Sequence, residues 1–275
     1  MYGAIIGDLA GSIYEFEEFS DRKNKIQNIK RRLEILNKKN LIDKDSFFSD
    51  DSILTIAVMD AINNGVSYEE KFREYYELFK NYSPNFKTFP SPFSSSFVNW
   101  IKNGYDKSKG NGGAMRISPI AYLCDNESKL INEVERNVKI THNTNEAIEG
   151  SIAVALIIYY GKKGYSKDKI KRIISSYFDY DLDLNFDLIR ETNTFTSNCK
   201  KTVEISLAAI FKADNFEDCV KLGISAGGDT DTIGAITGSM AESLYKIDKK
   251  LIEKTTTNIP NIFVKVLKKG YNKIN

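Results

Sequence analysis

The chain has 275 residues, 41% of them hydrophobic and 28% charged, and its 39 Lys and Arg residues balance 37 Asp and Glu residues to a formal net charge of +2. A chain of this length buries about three quarters of its unfolded surface, so we expect one domain over residues 1–275 that folds without a disulfide framework. The near balance of charge argues against nucleic acid or a membrane surface as a bulk partner.

The cysteines and the N-terminal segment predict a cytoplasmic protein. Cys124, Cys199 and Cys219 are odd in number and form no CxxC pair, which argues against a disulfide framework or a cysteine zinc site. The apolar stretch after Met1 has no basic run before it and is interrupted by glycines, unlike a signal peptide. The longest apolar run, 152–160, is about half the length of a membrane-spanning helix.

Helical periodicity dominates the chain from its start. Residues 3–16 contain regularly spaced Gly and Ala, which predicts a helix packed closely against its neighbours. Apolar residues recur at helical spacing from 53 to 62, and residues 148–159 are apolar nearly all round, as in a central helix. Asn143 and Glu146 resemble a capping box that opens this central helix. Further helices are predicted over 167–178, 201–212, 216–224, 232–246 and 248–254. The fold class predicted is an all-α, single-domain protein.

Two segments differ from this helical pattern. Residues 19–46 are rich in Lys, Arg and Asn, which favours a solvated helix or an insertion over an RNA-binding patch. Residues 86–113 contain two prolines, a run of serines and several glycines, which predicts a long ordered loop. Long loops inside compact domains often carry function, so this second segment is a candidate for substrate contact.

Two short acidic runs, far apart in sequence, carry the strongest chemical signal. One is Ser49-Asp50-Asp51, and the other is Asp229-Thr230-Asp231-Thr232 after two glycines. Each places two carboxylates and a hydroxyl in one turn before an apolar, helix-like stretch. Two unit charges ~4 Å apart repel by roughly 4 kcal/mol at an effective dielectric of about 20. If the fold brings the runs together, they predict a site for hard divalent cations with oxygen ligands.

Simpler interpretations exist for the acidic segments. A Ser followed by two Asp residues is typical of a helix N-terminus, where Ser caps the helix and the acids interact favourably with its dipole. The Gly-Gly-Asp-Thr-Asp-Thr run is also compatible with a capped helix. A third segment, 179–187, imitates an EF-hand loop but lacks the required Gly at position six and Glu at position twelve in both registers. We interpret it as a loop or a short extended stretch.

The remaining polar candidates are weaker as isolated patterns. Residues 110–116, Gly-Asn-Gly-Gly-Ala-Met-Arg, form a glycine-rich turn before a helix, and the N–H groups of such a turn can hold phosphate oxygens. A purely structural turn explains them equally well. His142 is the sole histidine, and a lone His is more often structural than catalytic. Glu15 becomes a functional candidate only if it lies near the predicted cation site.

Taken together, five motifs resemble those of the ADP-ribosylglycohydrolase family. They are Gly-Asp-x-x-Gly followed by Glu-Phe, Ser-Asp-Asp, Gly-Asn-Gly-x-Ala-Met-Arg, Thr-His-Asn with a following Glu, and Gly-Gly-Asp-Thr-Asp-Thr. The motifs occur in the family's order from Gly3 to about Tyr245, and five in order are far more specific than any one. The resemblance implies an all-α bundle with a central binuclear metal cleft, which holds two divalent cations, usually Mg²⁺ or Mn²⁺.

The resemblance also implies roles for individual residues. It makes Glu15 and Asp51 candidate catalytic residues that relay protons, and leaves open which of them is the base. The implied metal ligands are Ser49, Asp50, Asp51, Asp229, Asp231 and Thr232. The implied lining of the ADP-ribose pocket is Ser108, Gly110, Asn111, Gly112 and His142. Ser49 and Ser52 stand where many members have Thr, so a hydroxyl is kept at both positions.

The function implied is metal-dependent removal of ADP-ribose from a modified protein side chain or small acceptor. The bond at ribose C1 would break through an oxocarbenium-like transition state. An alternative is a non-catalytic ADP-ribose or nucleotide-binding module that acts as a sensor or a toxin-immunity protein. A third possibility is a metal hydrolase for another nucleoside or guanidino compound. The acceptor, the oligomeric state and the choice between Mg²⁺ and Mn²⁺ stay open.

Overall fold

The computed structural model describes residues 1–20, 24–83, 91–104 and 107–273, with side chains for all of these except 16–20. The described residues form fifteen α-helices and one 3₁₀ turn, and their only β-type pairings are two isolated bridges. The α-helices are α1 Tyr2–Ser20, α2 Lys25–Leu36, α3 Asp50–Asn64, α4 Tyr68–Phe79, α5 Ser95–Asn103, α6 Ser118–Leu123, α7 Glu127–Val138, α8 Asn145–Lys162, α9 Lys167–Tyr177, α10 Phe186–Thr192, α11 Cys199–Lys212, α12 Phe216–Ile224, α13 Thr230–Leu244, α14 Lys249–Thr257 and α15 Asn261–Tyr271. The 3₁₀ turn spans Ala114–Arg116. The predicted all-α fold class is confirmed.

The centre of the fold is a close crossing of α1 and α13. A Cβ atom added to Gly7 would lie 1.8 Å from the carbonyl oxygen of Gly234, and one added to Gly3 would lie 2.1 Å from that of Gly238. Two helix backbones approach this closely only where the facing residues have no side chains. The close packing predicted for the N-terminal helix is confirmed, and it brings the acids of α1 alongside those at the start of α13.

Two further helices build the core around this crossing. In α8, twelve of the 18 residues are buried, as the continuous apolar pattern predicts for a central helix. In α3, eleven of the 15 residues are buried, and the helix ends at Gly65, whose φ of 68° is left-handed. Each large apolar side chain buried in this way contributes about 1.5–3 kcal/mol. The start of α3 is therefore held rigidly against the centre of the molecule.

Two details of the predicted elements are wrong. The N-cap of α8 is Thr144, whose hydroxyl accepts a hydrogen bond from the backbone N–H three residues later, so Asn143 does not open a capping box. Segment 86–113 is not one long loop, because it contains α5, which Ser94 caps. The sequence pattern missed this helix since prolines and serines precede it closely. Residues 84–90 and 105–106 lie outside the described part of the chain.

The two unusual polar segments have ordinary structures. The basic segment 19–46 contains α2, which agrees with the helical interpretation. The acidic segment 179–187 is irregular until α10 begins at Phe186, as expected of a loop. Over the described ranges, no helix combines the length and the hydropathy that crossing a bilayer requires.

Candidate active site

The two acidic runs meet at the N-termini of α3 and α13. Ser49 is the N-cap of α3, and its hydroxyl accepts a hydrogen bond from the Asp51 N–H. Asp229 immediately precedes the first residue of α13. Across the gap, the Thr232 hydroxyl donates a hydrogen bond to Asp51 Oδ2 at 3.1 Å. The structure therefore places the residues around 50 and around 230 in one site.

The turn that leads into Asp229 depends on glycine. Gly227 and Gly228 have φ values of 70° and 90°, in the left-handed region that side-chain-bearing residues rarely adopt. A Cβ atom on Gly227 would also lie 2.1 Å from Nε of Arg32, which packs against the turn. Backbone conformation and close approach thus both explain the two glycines before the acidic run.

Asp8 belongs to this site, although the sequence placed it only within the Gly-Asp-x-x-Gly motif and predicted no role for it. Its carboxylate is fully buried and accepts hydrogen bonds from the backbone N–H groups of Ser49 and Ser52, both at 3.0 Å. It also accepts hydrogen bonds from their two hydroxyls, at 2.9 and 2.5 Å. Asp8 therefore caps α3 from α1. Its sequence signals are its place in the Gly-Asp-x-x-Gly motif and its position as an acid within an apolar, glycine-spaced stretch.

Three more carboxylates converge beside these helix ends. One oxygen each of Glu15, Asp229 and Asp231 lies within 4.8 Å of the others. The two Asp residues are buried, whereas Glu15 is partly exposed. Carboxylate oxygens gathered at this spacing are the ligand type that hard divalent cations prefer.

Burial is the main cause that raises the pKa of most of these acids. Burial first, with the charge of Asp231 adding to it, raises the pKa of Asp8 to about 7. The pKa of Asp50 is likewise raised by burial to about 7, although the Ser94 N–H stabilises its charged form. Burial and neighbouring carboxylates raise the pKa well above the usual range for Glu15, Asp51 and Asp229. Ionisation of these carboxyl groups is therefore unfavourable unless a cation supplies positive charge.

The side chains present fit a divalent cation. Asp51 Oδ1 is buried and has no hydrogen-bond partner within the described residues. The strongest charge effects on the pKa of Asp51 come from other Asp residues, all of which disfavour its ionised form. A buried carboxylate oxygen without a donor, surrounded by like charges, is what a cation with oxygen ligands stabilises.

One side-chain donor and one backbone donor from neighbouring segments hold two of the acids in place. Asn111 donates its amide hydrogens to Asp229 Oδ2 at 2.9 Å and to the Thr202 hydroxyl at 3.1 Å. The Ser94 N–H donates to Asp50 Oδ2 at 3.1 Å. The side chain of Asn111 thus ties the glycine-rich turn to the carboxylate site, and its contact with a ligand stays a prediction.

The other predicted binding residues surround His142. A Cβ atom on Gly112 would lie 2.8 Å from Cε1 of the imidazole, and one on Gly110 would lie 3.4 Å from its Nε2. The Ser108 hydroxyl accepts a hydrogen bond from the Gly110 N–H at 3.1 Å. Burial, and then the charge of Arg116, lowers the pKa of His142 to about 3. A neutral imidazole and the glycine-rich turn therefore form one wall next to the acids.

A cavity of about 310 Å³ adjoins the acids on another side. Glu15 and Gly228 line it together with α2 and the segment 190–195. Arg32 of α2 fixes this boundary by donating a hydrogen bond to the carbonyl of Asn193 at 3.1 Å. The sequence did not predict that α2 reaches the site, since its contacts are to backbone groups distant in the chain.

A family profile described as ADP-ribosylglycohydrolase matches residues 1–260. The chain belongs to the ADP-ribosylglycohydrolase family. The resemblance inferred from the five motifs is confirmed. The clustered carboxylates of α1, α3 and α13 are the strongest candidate for the active site of this ADP-ribosylglycohydrolase fold.

Individual relatives agree with this assignment. The chain is 22% identical over 285 residues to a candidate ADP-ribosyl glycohydrolase of Acanthamoeba polyphaga mimivirus, an alignment that covers 88% of this chain and 84% of that protein. It is 26% identical over 145 residues to the ADP-ribosyl-[dinitrogen reductase] glycohydrolase of Rhodospirillum rubrum, covering 50% of this chain and 47% of that enzyme. A solved ADP-ribosylglycohydrolase-related protein complex superposes with a TM-score of 0.58 at 18% identity, covering 83% and 80% of the two chains. That superposition shows the shared fold.

Proposed function

We propose that this member of the family is a hydrolase that depends on divalent metal ions and releases ADP-ribose from an ADP-ribosylated protein side chain or small compound. The observation that carries the proposal is the meeting of α3 and α13, where Thr232 reaches Asp51. Family membership supports the type of bond that is cleaved. The crowded, buried carboxylates support the dependence on metal.

The acids divide into two groups by their hydrogen bonds. Both oxygens of Asp8 accept hydrogen bonds from Ser49, and one of them also accepts from Ser52, so Asp8 holds the start of α3 in place. The proposed ligands of two Mg²⁺ or Mn²⁺ ions are Ser49, Asp50, Asp51, Asp229, Asp231 and Thr232. When bound, such ions polarise substrate oxygens and lower the pKa of a coordinated water molecule.

Glu15 is the proposed proton-transferring residue. Among the clustered acids, it is the one that borders the cavity as well as Asp229 and Asp231. Asp51 is less accessible, and its Oδ2 already accepts a hydrogen bond from the Thr232 hydroxyl. We therefore assign Asp51 to cation binding. Glu15 takes a proton from the water that attacks C1 of the distal ribose, and this proton passes to the acceptor atom, which keeps the electron pair of the breaking bond to C1.

The cavity beside Glu15 is the proposed binding site for the acceptor. A Cβ atom on Gly228 would lie 3.0 Å from the Asn193 side chain, which faces the cavity side of the turn. The next residue, Asp229, contacts Asn111 of the glycine-rich turn instead. ADP-ribose held against the glycine-rich turn would therefore direct its distal ribose towards Glu15, with the leaving group in the cavity.

The test is the release of free ADP-ribose from a panel of defined substrates by the purified protein. The panel contains ADP-ribosylated arginine, serine and nucleic-acid base, and each is assayed with Mg²⁺, with Mn²⁺ and after chelation. The double variant Asp229→Asn with Asp231→Asn should lose activity about a hundredfold or more, because loss of a residue that merely supports a metal ligand already costs about 10–100-fold. The control Asp183→Asn changes an exposed acid that pairs with Lys171 and should keep full activity.

The outcomes separate the candidate functions. Activity that survives chelation, or that persists in the double variant while circular dichroism shows the helical fold intact, would contradict the metal-dependent site. Tight binding of ADP-ribose without release from any substrate would support a nucleotide-binding module and refute hydrolysis.

A further inference from the structure

A chain of hydrogen bonds behind His142 has no part in the chemistry described above. Arg116 is fully buried and donates from Nη2 to the Thr141 hydroxyl at 2.8 Å. The Thr141 Oγ1 atom lies 2.7 Å from His142 Nδ1. The guanidinium itself is fixed, because its Nε donates to Asn137 Oδ1 at 3.0 Å and its Cζ atom lies 4.4 Å from the centre of the Phe72 ring. The chain therefore begins at an immobile cation and ends on the imidazole.

The positions of the protons follow from what each group can donate. An arginine side chain only donates hydrogen bonds, so Thr141 Oγ1 must accept from Arg116. The hydroxyl hydrogen of Thr141 then has one acceptor within the described residues, which is His142 Nδ1. If Nδ1 carried the ring hydrogen, this hydroxyl, which belongs to a residue only 2% exposed, would have no acceptor. A buried donor without a partner is unfavourable, because it has lost its hydrogen bond to water and gained none in the protein.

We infer that Thr141, held by Arg116, fixes His142 as the neutral tautomer with its hydrogen on Nε2. This nitrogen faces the glycine-rich turn, since a Cβ atom on Gly112 would lie 3.0 Å from it and one on Gly110 would lie 3.4 Å away. Nε2 makes no hydrogen bond to the described part of the protein. It is thus a single N–H donor directed at whatever occupies the turn.

A donor at this position selects oxygen acceptors. Phosphate oxygens and ribose hydroxyl oxygens of ADP-ribose both meet the requirement, and this identification of the ligand rests on the proposed function. Burial and the nearby Arg116 charge also disfavour the imidazolium form, which keeps the ring in the state that has only one donor. In this arrangement Thr141 and Arg116 are positioning residues, which act on the ligand through His142.

The sole histidine of the chain allows a direct test. In ¹⁵N-labelled protein, long-range proton–nitrogen correlations of the imidazole distinguish the protonated from the unprotonated ring nitrogen without overlap. The wild-type spectrum should show hydrogen on Nε2 and none on Nδ1. Thr141→Val keeps the side-chain shape and removes the hydroxyl, so it should give averaged signals from exchanging tautomers. Thr141→Ser keeps the hydroxyl and should retain the wild-type pattern.

Two spectra would overturn the inference. They are a wild-type protein with hydrogen on Nδ1, and a folded Thr141→Val variant whose tautomer is unchanged. If Thr141→Val does not fold, the wild-type and Thr141→Ser spectra still decide the question, because both must show the Nε2–H form.

Binding of ADP-ribose supplies an independent readout. Thr141→Val should weaken the affinity for ADP-ribose about tenfold, the loss expected for one oriented hydrogen bond, and should raise KM more than it lowers kcat. Thr141→Ser should bind nearly as tightly as wild type. Equal affinities of wild type and Thr141→Val would count against the inference. Failure of the wild-type protein to bind ADP-ribose would contradict the proposed function, whereas the tautomer spectra would still test the hydrogen-bond chain.

Discussion

The crossing of α1 and α13 makes Gly7→Ala an informative substitution. The new Cβ atom would lie 1.8 Å from the carbonyl oxygen and 2.2 Å from the carbonyl carbon of Gly234, whereas ordinary contacts begin at 3.4 Å. Both obstructing atoms belong to a helix backbone, so no side-chain rotation relieves the overlap and the helices must separate by more than ~1 Å. Overpacking of this kind costs about 1–3 kcal/mol or more, and the better helix propensity of Ala offsets at most ~1 kcal/mol.

A net loss of about 2 kcal/mol corresponds to a melting temperature roughly 4–8 °C lower for a chain of this size. The same separation moves Asp8 and Glu15 away from the acids of α13, so divalent-cation affinity should fall as well. Thermal melting and a cation titration measure the two effects. In the control Gly270→Ala, the Cβ atom meets the flexible side chain of Met59, so the melting temperature should change less and the cation affinity should not change. A Gly7→Ala protein with wild-type melting and wild-type cation affinity would refute this account of the crossing.

Three further predictions concern the carboxylate site. Asp8→Asn replaces an acceptor of several buried hydrogen bonds and should lower the unfolding free energy by about 1–3 kcal/mol and weaken cation binding, as measured by melting and titration. Thr232→Val, which removes the hydroxyl that contacts Asp51, should weaken cation affinity, whereas Thr237→Val removes a buried hydroxyl without a described partner and should be neutral in the same titration. Because the pKa of Asp8 is raised to about 7, its protonated form favours the folded state, and the resulting stability is full below pH ~4 and lost as the pH rises through about 7. Chelated protein should therefore melt at a higher temperature at pH 5 than at pH 8, and added Mg²⁺ should raise the melting temperature more at pH 8; the opposite order would contradict the pKa shift.

The sequence predicted the residues that share a visible pattern and missed those whose role depends on distant partners. The runs at 49–51 and 229–232 each repeat carboxylates and hydroxyls before an apolar helix, and that repetition is readable in one chain. Asp8 is a single acid inside an apolar helix, and its role appears only when α3 starts beside it. Arg32 donates hydrogen bonds to the carbonyl groups of Arg190 and Asn193, which lie 158 and 161 positions further along the chain. No local sequence pattern encodes these contacts.

The two errors in the predicted secondary-structure elements have a similar cause. The composition of segment 86–113 indicated a loop, but Ser94 and the helical spacing of Phe97 and Trp100 specify a short helix whose apolar face is buried. Thr144 takes the N-cap of α8 although Asn143 matches the capping-box pattern, because the backbone of Thr144 is extended and its hydroxyl reaches the Ala147 N–H. Asn and Thr are both favoured N-cap residues, so the local sequence alone does not decide which of the two neighbours caps the helix.

The glycine crossing and the raised pKa values are consequences of one arrangement. Packing α1 against α13 brings Glu15 close to Asp229 and Asp231, and each ionised pair ~4 Å apart opposes that packing by roughly 4 kcal/mol at an effective dielectric of about 20. Cations that bind only the folded state add about 2.7 kcal/mol to the unfolding free energy when their concentration is a hundred times their Kd. The same cations relieve the repulsion between the carboxylates. Loosening the crossing and removing the cations therefore act on one interaction, and their effects should not add. We expect chelation to lower the melting temperature of Gly7→Ala by less than it lowers that of wild type. Equal decrements in the two proteins would show that the helix crossing and the carboxylate site are energetically independent.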